Sequence, residues 1–173
     1  LITKIWFPRW VLPTSAVLAR FLTLLVEMAV LLVLIAVIEG HYAFAWIPVV
    51  LVLMSLQLLF TVGLALMVSA ANVYFRDVQH FLGVALAPWM FLTPILYPLN
   101  MVPDDREILG VGYRTLYQLN PMVSWAKAYR NALYDLRFPS AERWLAIVTA
   151  TAVVLAVGLR VFRRLEPRMA EEV

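Results

Sequence analysis

Four long runs of apolar residues extend along the chain, and most polar residues lie in the segments between them. A helix needs about 20 predominantly apolar residues to cross the hydrocarbon core of a bilayer, and each run meets that length. The predicted spans are residues 16–38, 43–71, 78–103 and 144–162. The pattern therefore predicts an all-α fold, a polytopic membrane protein with four transmembrane helices in a single domain, residues 1–173.

Charges inside the four runs are rare. The second and third runs contain none, the first contains Arg20 and Glu27, and the fourth contains only Arg160 near its end. An ionisable residue deep in a span costs about 2.5–3.5 kcal/mol, so we expect Glu27 to face the bundle, a partner subunit or water. Two interpretations stay open: Glu27 is a polar contact along a substrate path, or it makes a structural hydrogen bond between helices.

The third run is unusual because four prolines, at positions 88, 94, 98 and 103, interrupt it. Each interior proline frees a backbone carbonyl that needs a partner inside a helix bundle. The aromatic residues between the prolines include Trp89 and Tyr97. Their rings either stack against sugar rings along a path or form an aromatic belt at the membrane surface, and the pattern does not decide between the two.

The segment between the third and fourth runs, residues 104–143, contains a stretch that is too short to cross and too apolar for water. Thr115–Ala126 has twelve residues without a charge. Asn120 followed by Pro121 is typical of an N-cap and a first helical residue, and apolar side chains then recur at helical spacing up to Leu136. We therefore predict short re-entrant helices, which are tolerated only where protein buries them or they line an aqueous cavity.

The composition agrees with a membrane location. Hydrophobic residues make up 64% of the chain and charged residues 14%, against about 45–50% and about 25% in a typical soluble domain. Cysteine is absent, which excludes disulfides and thiolate metal sites, and His41 and His80 have no second ligand at metal spacing. The net charge of +3 comes largely from bases beside the spans, so no nucleic-acid partner is predicted.

The bases in the short segments orient the predicted spans. An N-terminus in the cytoplasm collects eight bases on that side, whereas the turn at residues 39–42 has none. Six further bases, in residues 104–143, fall on the opposite side and weaken this difference. The positive-inside rule favours both termini inside, with residues 163–173 as a cytoplasmic tail. The eight bases are Lys4, Arg9, Arg20, Arg76, Arg160, Arg163, Arg164 and Arg168.

Two cytoplasmic segments combine aromatic and charged residues. Residues 1–15 are either an interfacial anchor or a docking element for a cytoplasmic partner, and their candidate residues are Lys4, Trp6, Phe7, Pro8 and Arg9. The link after the second span either caps helix ends or forms a cytoplasmic entrance, with the candidate residues Tyr74, Phe75, Arg76 and Asp77.

The sequence contains no strong sign of catalysis. No G-x-x-x-x-G-K-[ST] pattern occurs, so the chain has no loop that cradles a triphosphate. Asp104, Asp105 and Glu107 form one acidic cluster, and a solvated loop explains it better than an acid–base or metal site. Alanines four residues apart in the last span, Ala146 with Ala150 and Ala152 with Ala156, permit a close helix contact and give weak support for a dimer seam.

Four motifs in order connect the sequence with a known family. They are Phe7-Pro8-Arg9 with Leu12-Pro13, the segment Asn72–Val78, the segment Thr93–Pro98, and Asn120-Pro121 with Ala128-Tyr129-Arg130. Together they resemble the type 2 ABC transporter permeases that export polysaccharides, the O-antigen and teichoic acid exporters. The resemblance covers essentially the whole chain, and it depends on the order of the motifs more than on any one of them.

The resemblance implies a homodimer of permeases joined to two copies of a separate ATPase, which binds the ATP, so that this chain holds no cofactor. Such a dimer exports a polysaccharide on an undecaprenyl diphosphate lipid across the bacterial cytoplasmic membrane. The resemblance also implies that Lys4–Pro13 contacts the ATPase and that Thr115–Leu136 forms the periplasmic re-entrant helices. It favours Tyr74, Trp89 and Tyr97 as residues of the sugar path, to which we add Glu27.

Family members usually have six spans and a preceding amphipathic helix, whereas this sequence has four predicted spans. We therefore expect a domain truncated at its N-terminus, beginning just before the third span of the family. Two alternative functions remain open from the sequence. One is a permease of the same superfamily for a drug or another lipid, and the other is a membrane-embedded glycosyl- or acyltransferase.

Overall fold

The structure is a computed structural model, and it describes residues 8–39, 43–75, 77–93, 107–108, 111–112 and 120–166. Helix α1 comprises Val11–Glu39, and a 3-10 turn at Ala43–Trp46 leads into α2, Ile47–Tyr74. Helix α3 is Val78–Leu92, α4 is Pro121–Leu133 and α5 is Ala141–Leu165. Two short strands, β1 at Glu107–Ile108 and β2 at Val111–Gly112, pair antiparallel. Helices form the rest of the described secondary structure, so the predicted helical fold class is confirmed.

Three helices are long and apolar enough to cross a membrane by length and composition. They are α1, α2 and α5, with 28, 28 and 25 residues in their candidate spans, and they correspond to the first, second and fourth predicted spans. Helix α3 has 15 residues and is therefore about 22 Å long, which is shorter than a span. The rest of the third predicted span, from Pro94 onward, lies outside the described residues.

The boundaries of the spans differ from those predicted. Helix α1 begins at Val11 instead of residue 16, so its first turn contains Pro13, which was assigned to the coupling segment. Proline is tolerated there because the first N–H groups of a helix have no intrahelical partner. Helix α2 likewise continues beyond residue 71 to Tyr74, and α5 extends past both predicted ends.

Helix α2 lies at the centre of the fold and contacts α1, α4 and α5. Three buried clusters follow its length. Near its start Val50 and Met54 pack against α1 and α4, and a middle cluster joins Leu53 and Phe60 to α4 and α5. Toward its end, Leu66 and Ala70 pack against Phe162 of α5, the third cluster.

Helices α2 and α5 approach each other at two glycines. A Cβ atom on Gly158 would overlap the carbonyl of Gly63, and a Cβ atom on Gly63 would lie 2.8 Å from the backbone nitrogen and Cα of Leu155. Only glycine permits such a backbone approach. In lipid, where burial from water does not drive helix association, close packing of this kind is a main source of attraction.

Candidate functional site

The predicted coupling segment is described only at its end. Pro8 and Arg9 are half-buried just before α1, and the carbonyls of these two residues accept hydrogen bonds from Val11 N–H and Leu12 N–H at 3.1 and 3.3 Å. The segment therefore leads directly into the first turn of α1. Lys4, Trp6 and Phe7 lie outside the described residues, so their predicted role is not tested.

The predicted cytoplasmic entrance forms the tight link between α2 and α3. Tyr74 is the last residue of α2, and its buried hydroxyl has no hydrogen-bond partner within the described chain. Phe75 is 69% exposed, and Asp77 occupies the N-cap position of α3 without making a side-chain capping bond. Asp77 thus lies at the start of a helix, where the capping interpretation puts the acid, while Arg76 lies outside the described residues.

Of the residues predicted for the substrate path besides Tyr74, the structure describes only Glu27 and Trp89. Glu27 is exposed on α1 and, among the residues described, makes neither a hydrogen bond nor an ion pair. Trp89 is exposed on α3, and Tyr97 lies outside the described residues. The described part of the chain thus does not enclose a path between Glu27 and Trp89.

Two of the sequence motifs meet in space. The Asn120 side chain accepts a hydrogen bond from Met122 N–H at 3.0 Å, which caps α4 as predicted. The amide group of Asn120 also donates to Thr93 Oγ1 at 3.1 Å, across 27 positions of sequence. The Thr93 hydroxyl, buried at the end of α3, donates in turn to the Trp89 carbonyl at 3.1 Å. This chain of bonds ties the start of α4 to the last turn of α3.

Helix α4 packs alongside the first half of α2. Trp125 lies with its ring centroid 5.0 Å from that of Phe60, and it shares a buried cluster with Ile147 of α5. The Tyr129 hydroxyl donates to Gln57 Oε1 at 2.7 Å. Because Gln57 is ten residues from the start of α2, this bond lies about 15 Å along the helix, deep within a candidate span.

The connection from α4 to α5 is a tight turn with a left-handed residue. Leu136 has φ 50°, a conformation that costs a residue with a Cβ atom roughly 1–2 kcal/mol. The Asn131 side chain spans the turn. When its amide oxygen is placed toward Arg143, that oxygen accepts from Nη1 at 2.6 Å and the NH₂ group donates to Asp135 Oδ2 at 3.1 Å. These polar contacts hold the ends of the two helices together.

Two crevices flank α2. One, of about 820 Å³, is apolar and lies near the starts of α2 and α5, where Phe138 and Trp144 line it. The other, of about 510 Å³, lies between α1 and α2 and is lined by Arg20, Gln57 and Ser69 together with apolar side chains. Sequence reasoning did not identify Gln57, although an amide side chain in the middle of an uncharged run was a usable signal.

Metal and acid–base chemistry finds no support in the described part of the chain. Within it, no group of three or more His, Cys, Asp or Glu residues could hold a metal ion. Asp104 and Asp105 lie outside the described residues, and Glu107 is described only as part of β1. The absence of a catalytic or metal site therefore stays a prediction.

Comparison with known proteins gives consistent matches. The sequence model of the ABC-2 type transporter family matches residues 3–134. The chain is 33% identical over 173 residues to the O-antigen export system permease protein RfbA of Myxococcus xanthus, covering 100% of this chain and 64% of that protein. The protein of the same name from Klebsiella pneumoniae is 27% identical over 172 residues, 99% of this chain and 63% of its own.

A third relative has a related name. The polysialic acid transport protein KpsM of Escherichia coli is 28% identical over 165 residues, 93% of this chain and 61% of that protein. The chain thus spans somewhat less than two thirds of the length of each of these curated relatives. The matched family region contains α1 to α4, including the Asn120 and Tyr129 contacts.

Proposed function

The chain belongs to the ABC-2 type transporter family, whose sequence model matches residues 3–134, and on this basis we propose that it is a permease subunit of an ABC exporter. The observation that carries the proposal is this match, together with 33% identity over the whole chain to an O-antigen export permease. The exporter moves a lipid-linked polysaccharide across the bacterial cytoplasmic membrane. A separate ATPase binds ATP and drives it, while this chain is not an enzyme and holds no cofactor.

The choice of a polysaccharide over a drug is supported by the names of the relatives. Two are O-antigen export permeases and one is a polysialic acid transport protein. A carbohydrate polymer needs a wide polar path, and the described residues of one copy, among them three long apolar helices, do not enclose one. We therefore include a homodimer in the proposal, with the path formed between two copies.

The proposed arrangement in the membrane has both termini in the cytoplasm. Arg9 and Arg20 lie near the start of α1, and Arg163 and Arg164 lie in the last turn of α5. The end of α2 packs beside the end of α5, so these bases lie at one end of the bundle. A cytoplasmic location for that end agrees with the positive-inside rule. Helix α4 then enters the outer half of the membrane as a re-entrant helix.

A polysaccharide-export assay tests the substrate path. If Trp89 stacks on sugar rings, Trp89→Ala slows the appearance of polymer on the cell surface while the complex still assembles in the membrane. Phe81→Ala is the matched control, because Phe81 is also an exposed aromatic residue of α3. Equal surface polymer in both variants contradicts the role of Trp89. Normal surface polymer in a strain that lacks this chain contradicts the proposed function as a whole.

Co-purification tests the proposed coupling segment. Arg9→Glu reverses a charge immediately before α1, so we expect less ATPase to be recovered with the permease at unchanged membrane insertion. Arg163→Glu, at an exposed position in the last turn of α5, is the control for a general charge effect. Recovery of the same amount of ATPase with both variants and with the unaltered chain rejects the coupling role of Arg9.

A further inference from the structure

The crevice between α1 and α2 combines a positive charge with apolar walls. Its volume is about 510 Å³. Arg20 lines it from α1, and Gln57 lines it from α2, while Phe21, Leu24, Leu58 and Val68 supply much of the apolar surface. On α2 the lining extends from Gln57 to Ser69, twelve residues or about 18 Å along the helix axis. The shape is that of an elongated slot, and on α1 Arg20 lies between Pro13 and Leu24 of its lining.

The charge of Arg20 is not balanced by any described neighbour. Arg20 is nine residues inside α1, it carries a permanent charge, and it has no hydrogen bond or ion pair within the part of the chain that the structure describes. The described lining of the slot contains no Asp or Glu. An arginine in a span is costly unless an anion or water compensates it. Arg20 is exposed in the slot, and an anionic occupant that also tolerates apolar walls suits it.

Gln57 strengthens this preference because its side chain is polarised. The Oε1 atom accepts the hydrogen bond from the Tyr129 hydroxyl at 2.7 Å, which uses one of the two lone pairs of that oxygen. The remaining polar group of this side chain is an NH₂, which only donates. Arg20 and the Gln57 NH₂ group thus both offer hydrogen-bond donors that suit an anion or a phosphate ester, beside the hydroxyls of Thr61 and Ser69.

We propose that this slot binds an anionic phospholipid of the bilayer, with the headgroup phosphate at Arg20 and one acyl chain along Phe21, Leu24 and Leu58. A guanidinium matches a phosphate in a bidentate hydrogen-bond geometry. Basic side chains near the membrane surface attract anionic lipids electrostatically. The ester oxygens that join the acyl chain to the headgroup lie toward the Gln57 NH₂ group, so the bound lipid lies next to the residue that holds α4.

Photolabelling in lipid nanodiscs tests this site in the full protein. The probe is phosphatidylglycerol with a photoreactive group in its acyl chain, and phosphatidylcholine with the same group is the zwitterionic comparison. We expect phosphatidylglycerol to label the peptides around Phe21 and Leu58 preferentially. Arg20→Gln is expected to reduce this labelling about tenfold or more, since it removes a charge-assisted hydrogen bond. Arg20→Lys keeps a charge and is expected to retain part of the labelling.

Arg160→Gln is the matched control for a general loss of charge. Arg160 is an exposed arginine within α5, close to Gly158, and it does not line the slot. The proposal is overturned if the two probes label equally, if Arg20→Gln has no effect, or if Arg160→Gln has the same effect. Displacement of the probe by excess inorganic phosphate also overturns it, because that result shows a free-anion site without acyl selectivity. None of these readouts depends on export, so the proposed function is tested separately.

Discussion

The close approach of α2 and α5 makes a sharp prediction about stability. Replacing Gly63 with alanine adds a methyl group 2.8 Å from backbone atoms of Leu155, whereas ordinary van der Waals contact begins at 3.4 Å. The obstructing atoms belong to the backbone, so no side-chain rotation can relieve the overlap. The two helices must separate by about 0.6 Å at this point, the difference between the two distances.

The size of the effect follows from that separation. A gap of about 0.5–1 Å forfeits a quarter to a half of the dispersion energy of each contact it opens. The contacts concerned extend from Ile147 to Phe162 along α5, because both residues pack against α2. Overpacking of this kind typically costs about 1–3 kcal/mol. Gly158→Ala is expected to cost at least as much, since its methyl group would overlap the Gly63 carbonyl itself.

A heating assay in detergent measures the loss. We expect Gly63→Ala to lower the temperature at which half of the protein remains monodisperse. The scale for soluble domains of 150–250 residues gives a decrease of roughly 2–4 °C for each kcal/mol of lost stability. Gly83→Ala is the control, because a Cβ atom there meets nothing within 4 Å and alanine is the better helix former. If Gly63→Ala and Gly83→Ala melt alike, the close crossing is not as tight as this reasoning requires.

The remaining predictions use the same heating assay. Tyr129→Phe removes a hydrogen bond and should lower the free energy of unfolding by about 0.6–1.7 kcal/mol. Tyr134→Phe, at an exposed position, should leave it unchanged. Equal melting temperatures for the two variants contradict this prediction. Asn120→Ala should cost about 1 kcal/mol or more, and Asn120→Asp should lose less because it keeps the cap but not the bond to Thr93. Leu136→Gly should stabilise by up to about 1 kcal/mol, since glycine adopts φ 50° freely, and a lower melting temperature would disprove this reading of the turn.

The fold was predictable to the extent that it depends on apolar length. Runs without charge identified α1, α2 and α5, because a bilayer-spanning helix needs little besides length and hydrophobicity. Their ends were less predictable. Pro13 suggested a break, yet it lies in the first turn of α1, where the missing N–H has no effect. The periodicity after Asn120 identified α4 because that helix has one polar face and one buried face.

The contacts between elements were much less predictable than the elements. The alanine pairs of the last span were predicted as a dimer seam, which a single copy does not test, whereas the close crossing within the chain is formed by Gly63 and Gly158. An apolar helix has small residues on several faces, and its sequence alone does not indicate which face meets a partner. Gly63 and Gly158 lie in contact on neighbouring helices, although they are 95 positions apart in sequence. Only the three-dimensional packing identifies such a pair.

The two hydrogen bonds of α4 connect the family motifs into one mechanical unit. Asn120 binds Thr93 at the end of α3, and nine residues later Tyr129 binds Gln57 in the middle of α2. These bonds are about 13 Å apart along α4 and attach it at two points. A two-point attachment resists rotation as well as translation, so a shift of α3 relative to α2 must strain or break one bond. In the exporter proposed above, a change between closed and open states that moves α3 would therefore be transmitted through α4 to the central helix.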